Sequence, residues 1–309
     1  MFCSARLSAN PNELHRKFSL TYDSSIANYL VFGDLHGRVL PAFALVNRYQ
    51  HDFQIQLDGL LQVGDLGYFP DTTRLDSASR QHAARDPLEL GISEFNTTQL
   101  AACRFFQNLD PLLRLYFIAG NHEDHELLLR HRRSRDSAWP VDDFHRLWCI
   151  DDGRIVTLPS GLRVAGLWGI DGDAPKARRI RSPRIRIDAV AACSLCDEPS
   201  FDVLLTHESP RDAIQMDSGS LEISTIIESR QPQFAFFGHY HSAGRLADCE
   251  FGRTRLFWLS GLEFQHRGSC AEPMCVGLLS QTGTEYEFRY LPNDWLADFT
   301  LHNWRHWLK

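Results

Sequence analysis

A layered α/β fold of the broad α+β class, with helices covering mixed β-sheets, is the architecture this sequence predicts, and three observations point to it. Five apolar runs of four to five residues, rich in β-branched and aromatic side chains, read as strands buried on both faces. Segments with apolar residues three to four apart read as the covering helices. Each apolar run also ends in a cluster of polar side chains, as expected where the loops of a helix-covered sheet converge at the carboxyl ends of its strands.

The elements follow in order. Residues 1–25 read as an N-terminal extension and residues 26–290 as one domain. Tyr29-Leu30-Val31-Phe32 leads into Gly33-Asp34-Leu35-His36-Gly37, and Leu60-Leu61-Gln62-Val63 into Gly64-Asp65. Residues 68–95 form a polar, lid-like insertion with Asp71, Asp76 and Asp86 as turn and cap signals. A loop this long is expected to be a lid or substrate wall. It opens with Tyr68-Phe69-Pro70, which either presents a ring to a flat substrate group or anchors the loop by packing. Residues 96–108 carry Leu100, Ala101, Cys103, Phe105 and Phe106 at helical spacing, with Asn96 or Thr97 as cap. Leu115-Tyr116-Phe117-Ile118-Ala119 then leads into Gly120-Asn121-His122-Glu123. Phe201-Asp202-Val203-Leu204-Leu205 leads into Thr206-His207-Glu208, residues 220–230 form a helix with Ile223, Ile226 and Ile227 on one side, and Phe234-Ala235-Phe236-Phe237 leads into Gly238-His239-Tyr240-His241. Strand-like pieces at 253–259, 274–279 and 286–290 follow. Residues 291–309 read as a C-terminal tail helix docked on the domain, a partner-binding or membrane-surface helix being the sharper alternative.

The residue types at the strand ends suit a pair of divalent cations. Two ions about 3.5–4 Å apart need a bridging carboxylate and a mixed oxygen and nitrogen shell. Asp65 is the candidate bridge. Asp34, His36 and His241 would complete one ion, and Asn121, His207 and His239 the other. The alternate spacing of Asp34/His36 and of His239/His241 fits extended loops, in which every second side chain points the same way.

These five segments, in this order, resemble the signature of the calcineurin-like metallophosphoesterases. The resemblance implies a four-layer αββα sandwich of two mixed sheets flanked by helices, with the later strand-like pieces finishing the second sheet. It also implies the ligand assignment above, a general-acid role for His122, and hydrolysis of phosphate esters by metal-activated hydroxide attack on phosphorus. Glu123 or Asp124 would orient the His122 imidazole. The Ser/Thr protein phosphatases of this superfamily carry an Asp and an Arg shortly after the second motif, where this chain has Leu66-Gly67-Tyr68-Phe69. Looser similarity extends to RNA lariat debranching enzymes, through the Gly120-Asn121-His122-Glu123 region, Val164-Ala165-Gly166-Leu167-Trp168-Gly169-Ile170 and Leu204-Leu205-Thr206-His207-Glu208-Ser209-Pro210. That hints at phosphodiesters, with a nucleotide or nucleic acid as the substrate partner. A phosphomonoesterase is the alternative activity, and a non-catalytic protein-binding scaffold of the same fold a further one. The metals could be Mn, Fe, Zn, Ni or Co, all of which accept nitrogen and oxygen ligands.

Composition agrees. At 309 residues the chain can bury a large core, and no stretch approaches a membrane span or a secretory leader, so a cytoplasmic enzyme is expected. A net charge of −7 argues against a surface that grips nucleic acid as a whole. Residues 176–186 nevertheless hold six cations in eleven positions, and Arg130, Arg132, Arg133 and Arg135 form a second group. Either these arginines rim the same strand edge and contact phosphates flanking the scissile one, or they are a solvated surface. Of the eight cysteines, Cys193, Cys196, Cys270 and Cys275 could hold a structural zinc, and the rest read as buried apolar side chains.

Overall fold

The computed structural model describes residues 26–308, apart from 94, 96–99, 111, 133–135, 172–184, 241–248 and 265–268. The N-terminal extension, the Asn96 or Thr97 cap, Arg133, Arg135, His241 and all of the basic segment except Ile185 and Arg186 therefore lie outside the described residues. In chain order the first half runs β1 (Ile26–Phe32), α1 (Val39–Phe53), β2 (Gly59–Gln62), α2 (Ser77–Ala83), α3 (Leu100–Asn108), β3 (Leu115–Phe117), α4 (His125–His131), β4 (Ala138–Pro140), β5 (Leu147–Ile150), β6 (Arg154–Thr157) and β7 (Arg163–Leu167). The second half runs α5 (Ala189–Asp197), β8 (Val203–Thr206), α6 (Leu221–Arg230), β9 (Phe234–Phe237), β10 (Cys249–Phe251), β11 (Thr254–Trp258), β12 (Val276–Thr282), β13 (Glu285–Tyr290) and α7 (Asn293–Ala297).

Two mixed sheets flanked by helices result, as the sequence implied. One sheet has the order β13-β12-β1-β2-β3-β5-β4 and the other β10-β11-β9-β8-β7-β6. Within them β1, β2, β3 and β5 run parallel, as do β7, β8, β9 and β11. All five apolar runs contain a strand, and the described residues of the five polar clusters lie at the carboxyl ends of those strands. The inner faces meet through aromatic rings: Phe236 of β9 packs edge-on to Phe288 of β13 at 4.8 Å, and Phe257 of β11 lies 4.5 Å from the same ring. Truncating one such buried ring costs about 3–5 kcal/mol.

Two expectations need correction. The last strands do not finish the second sheet. Only the piece at 253–259 joins it, as β11, whereas β12 pairs antiparallel with β1 from Ile26↔Thr282 to Phe32↔Val276 and carries β13 outside it. β1 has β2 on one side only, and the Val276–Leu279 stretch, buried throughout, fills the other side. The tail is not one helix either. α7 ends at Ala297, residues 299–301 extend to pair with Ser269 and Ala271, and a short 3-10 turn follows at Trp304–Trp307. The Asn303 side chain breaks the continuity by donating to the Asp298 carbonyl and accepting from the Thr300 N–H. Docking nonetheless holds, because Phe299 and Trp304 are buried. Among the described residues no helix is long and apolar enough to cross a membrane.

The insertion folds as α2 between two 3-10 turns, Thr72–Arg74 and Pro87–Leu90. Asp71, Asp76 and Asp86 each cap one piece, accepting the backbone N–H of Thr73, Ser79 and Leu88. Arg38, buried behind the first motif, reaches out to Asp86 at 2.6 Å and Glu89 at 3.1 Å, while Arg74 pairs with Asp124 and Glu126. The segment is thus fastened to the motif loops at both ends. Tyr68 and Phe69 are only 2% and 4% exposed, so they anchor the loop rather than present a ring.

Candidate metal centre

Five of the parallel strands, β1, β2, β3, β8 and β9, end by delivering polar groups to a common point. The backbone N–H groups of Leu35 and His36 both donate to the Asp65 carbonyl at 2.9 Å, drawing the first two loops together. Asp65 Oδ1 accepts the N–H of Asn121 and of His122, each at 2.7 Å, which adds the third loop. Asp34 Oδ1 accepts the His239 N–H at 3.3 Å, which adds the fifth. His207 enters from the fourth, its Nε2 3.2 Å from both Asp65 Oδ2 and Asn121 Oδ1. His36 Nε2 lies 4.0 Å from Asp34 Oδ2 and from Asp65 Oδ2. The His239 ring stands 5.0 Å from that of His207. Six of the seven candidate ligands are therefore brought together, and His241 lies outside the described residues.

The backbone shows why these residues stand where they do. His36, Asp65 and His239 hold positive φ angles of 42°, 53° and 65°, a region L-residues seldom occupy and one that clusters at functional sites. Gly120 and Gly238 answer a different need. A Cβ on Gly120 would collide with Asp65 Oδ1, and one on Gly238 with Asp34 Oδ1, so the glycine of one motif makes room for the carboxylate of another.

Charge tests whether the group fits a cation. Burial pushes the Asp34 carboxyl up to about 7, His207 opposing and Asp65 adding to the shift. Burial would likewise discourage a charged His207, yet the carboxylates of Asp65 and Asp34 raise it to about 10. A proton thus does, in this cluster, what a cation does better. The His207 Nδ1 lies 3.1 Å from the Val63 carbonyl, which accepts its N–H and turns Nε2 toward the carboxylates, the arrangement typical of a metal-bound histidine. Asp34, Asp65 and His207 form, among the described residues, the one set of three or more acidic, His or Cys groups within reach of a common ion. Cys193, Cys196, Cys270 and Cys275 form no such set among the described residues: α5 carries the first pair, whereas the buried Cys275 precedes β12 of the other sheet, its carbonyl accepting the Gly33 N–H at 3.0 Å.

His122 stands beside this cluster, its ring 5.7 Å from that of His36. Neither residue named for orienting it does so. Asp124 binds Arg74 and caps α4 through the Leu127 N–H, and Glu123 turns into the core. The partner is Asp76 of the insertion, whose Oδ2 accepts the His122 Nδ1–H at 2.8 Å, while its Oδ1 caps α2. Burial works against protonating His122, but Asp65 and Asp76 outweigh it and raise the imidazole to about 9. The cap signal exposed one carboxylate oxygen of Asp76 in the sequence; the second is visible only in three dimensions.

The described arginines are not a free basic rim. Arg130 pairs with Glu126 at 3.1 Å and Arg132 with Asp151 at 2.7 Å. Arg132, Arg154 and Arg186 line a cavity of about 540 Å³ together with Asp151, Asp152 and Asp188. It lies along the same strand edge, beside His125, whose Nε2–H reaches the Gly120 carbonyl at 3.1 Å.

A helix-covered pair of sheets with buried carboxylates and histidines gathered at the strand ends defines a metal-dependent hydrolase of phosphate esters. The chain belongs to the calcineurin-like phosphoesterases, whose family model matches residues 27–243. No curated protein matches it. Among solved structures it is similar to the TT1561 protein of Thermus thermophilus, with 14% identity, 86% of this chain and 99% of that one covered, and a TM-score of 0.44. It is also similar to GAP50, the anchor in the inner membrane complex of Plasmodium, with 10% identity, coverage of 87% and 85%, and a TM-score of 0.49. A conserved Streptococcus pneumoniae protein described as a predicted phosphoesterase gives 10% identity, coverage of 88% and 92%, and a TM-score of 0.36.

Proposed function

We propose that this enzyme hydrolyses phosphodiesters at a dinuclear centre in which Asp65 bridges two divalent ions, Asp34, His36 and His241 complete one, and Asn121, His207 and His239 the other. The convergence of Asp34, Asp65 and His207 within reach of one ion carries the reading. Divalent ions of the Mn, Fe, Co, Ni or Zn type, when bound there, supply hydroxide near neutral pH and neutralise phosphoryl oxygens as charge builds. The protein's own part is to fix the geometry and move a proton. The Asp76 carboxylate holds the His122 Nδ1–H, so Nε2 faces the cleft and can give its proton to the departing oxygen. The insertion is the wall that supplies this support. The preference for diesters, nucleotides or nucleic acid among them, rests on the likeness of the motif segments to RNA lariat debranching enzymes. A cytoplasmic setting is proposed from the seven free cysteines among the described residues.

Metal analysis of the purified protein, joined to a panel of mono- and diesters of p-nitrophenol, tests the reading. Two ions per chain and preferential cleavage of bis-p-nitrophenyl phosphate are expected. A strong preference for the monoester would make the enzyme a phosphatase, and no cleavage of either with metal bound would leave the scaffold reading.

A further inference from the structure

We infer that Glu263 selects the leaving group, its carboxylate accepting a hydrogen bond from an ammonium or hydroxyl on the alcohol that departs beside His122. The inference rests on the hydrolase reading above and names what that site prefers. A small cavity of about 30 Å³ opens between His36, Ser79, His82, Glu89, His122 and Glu263. One side presents a candidate metal ligand and the proton donor, so a group leaving phosphorus beside His122 would lie at its mouth, and the space admits a small polar substituent of that group. Most of the polar atoms around it are already engaged. Ser79 Oγ donates to Asp76, His122 Nδ1 donates to Asp76, and Glu89 accepts from Arg38 at 3.1 Å. The Glu263 carboxylate has no hydrogen-bond or ion-pair partner among the described residues.

Its backbone is nonetheless held firmly to the metal loop. The Leu262 N–H donates to the Asp34 carbonyl at 2.8 Å, the Glu263 N–H to Gly261 at 2.9 Å, and the Glu263 carbonyl accepts from Glu272 at 3.0 Å. The Glu263 side chain lines the cavity together with His36 of the first motif and with Ser79 and Glu89 of the insertion, between the centre and the insertion wall. Among the described residues no arginine or lysine lines this cavity, and Arg38 is spent on Glu89, Asp86 and backbone carbonyls. A second phosphate on this side would meet an unpaired carboxylate and be repelled. A hydrogen-bond donor would instead satisfy it, and a charged donor forms the stronger bond.

The test uses three aryl esters of methyl phosphate whose leaving groups differ in one substituent: meta-tolyl, meta-(hydroxymethyl)phenyl and meta-(aminomethyl)phenyl. The metal-loaded enzyme is expected to favour the aminomethyl ester over the tolyl ester by about 10-fold in kcat/KM, chiefly through KM, with the hydroxymethyl ester between them. Glu263→Gln should erase the aminomethyl preference and leave the tolyl ester within about twofold; Glu263→Ala should erase both preferences. Metal content and the thermal midpoint of each variant report that the fold and centre persist. Equal rates on the three esters in the unaltered enzyme, or parallel losses on all three in the variants, would overturn the inference while leaving the hydrolase reading intact. Failure to cleave even the tolyl ester would remove both.

Discussion

The two walls of the site are built on different principles. The strand-end wall is made of the motif segments that directly follow five strands, and its carboxylates are stitched to backbone N–H groups of neighbouring segments. The insertion wall is a set of short helical pieces that capping aspartates start and that Arg38 and Arg74 fasten. In the function proposed above, the first wall would hold cations, which tolerate little displacement of their ligands, and the second would support a proton donor, with side chains that reach across space. His122 belongs to both: its backbone is bound to Asp65 and its ring to Asp76.

The comparison is broken most severely at Asp65. Asp65→Ala removes the acceptor that joins the second and third loops and the shared carboxylate, so loss of both ions and a fall in kcat of about 10³-fold or more are expected. Retention of two ions per chain would end the bridging assignment. His122→Ala comes next. It should slow a diester with an alkyl leaving group by about 10²–10⁴-fold and one with p-nitrophenolate far less, since that anion leaves unaided. Equal losses on the two substrates would count against proton donation.

The insertion side sharpens the contrast with smaller effects. Asp76→Asn keeps the cap on α2 but weakens the hold on Nδ1–H, and a loss of about 10-fold in kcat, confined to poor leaving groups, is expected with metal content unchanged. A matching loss on p-nitrophenyl esters would show that Asp76 acts through the fold instead. Tyr68→Phe should do least. It deletes the hydrogen bond from Tyr68 Oη to the Val141 carbonyl at 2.8 Å and should cost about 1 kcal/mol of stability, read by chemical denaturation, with KM unmoved. A raised KM at unchanged stability would restore a substrate contact for the ring.

How far each wall was legible follows from these differences. Runs such as Phe234–Phe237 are buried along their whole length, and a strand covered on both faces leaves an uninterrupted apolar stretch that marks its own end. The candidate ligands follow at short offsets, so the side chains of the strand-end wall could be read residue by residue. Gln62 is the instructive exception inside such a run: it is fully buried, yet its amide closes the β1 and β2 ends by donating to Gly33 at 3.1 Å. The insertion showed its caps, because a capping aspartate acts within three residues. It hid the reach of Asp76 to His122 and of Arg38 to Glu89, which span 46 and 51 positions. Tyr68 and Phe69 were ambiguous for a similar reason, since burial of a loop aromatic depends on what packs over it. The short strands β4 to β7 gave no distinct signal at three to five residues each.

The sequence by itself determined the strand ends, the order of the motifs, the polar side chains that gather at those ends and the caps of the insertion, because each is set by chemistry within a few residues along the chain. Tertiary structure alone decided that β12 and β13 flank β1, that the tail breaks after α7, that Asp76 rather than Glu123 or Asp124 holds His122, and that Glu263 lines the small cavity beside it. Those outcomes turn on which edge, surface or charge remained unsatisfied once the two sheets had closed on one another, and periodicity along a chain carries no record of that.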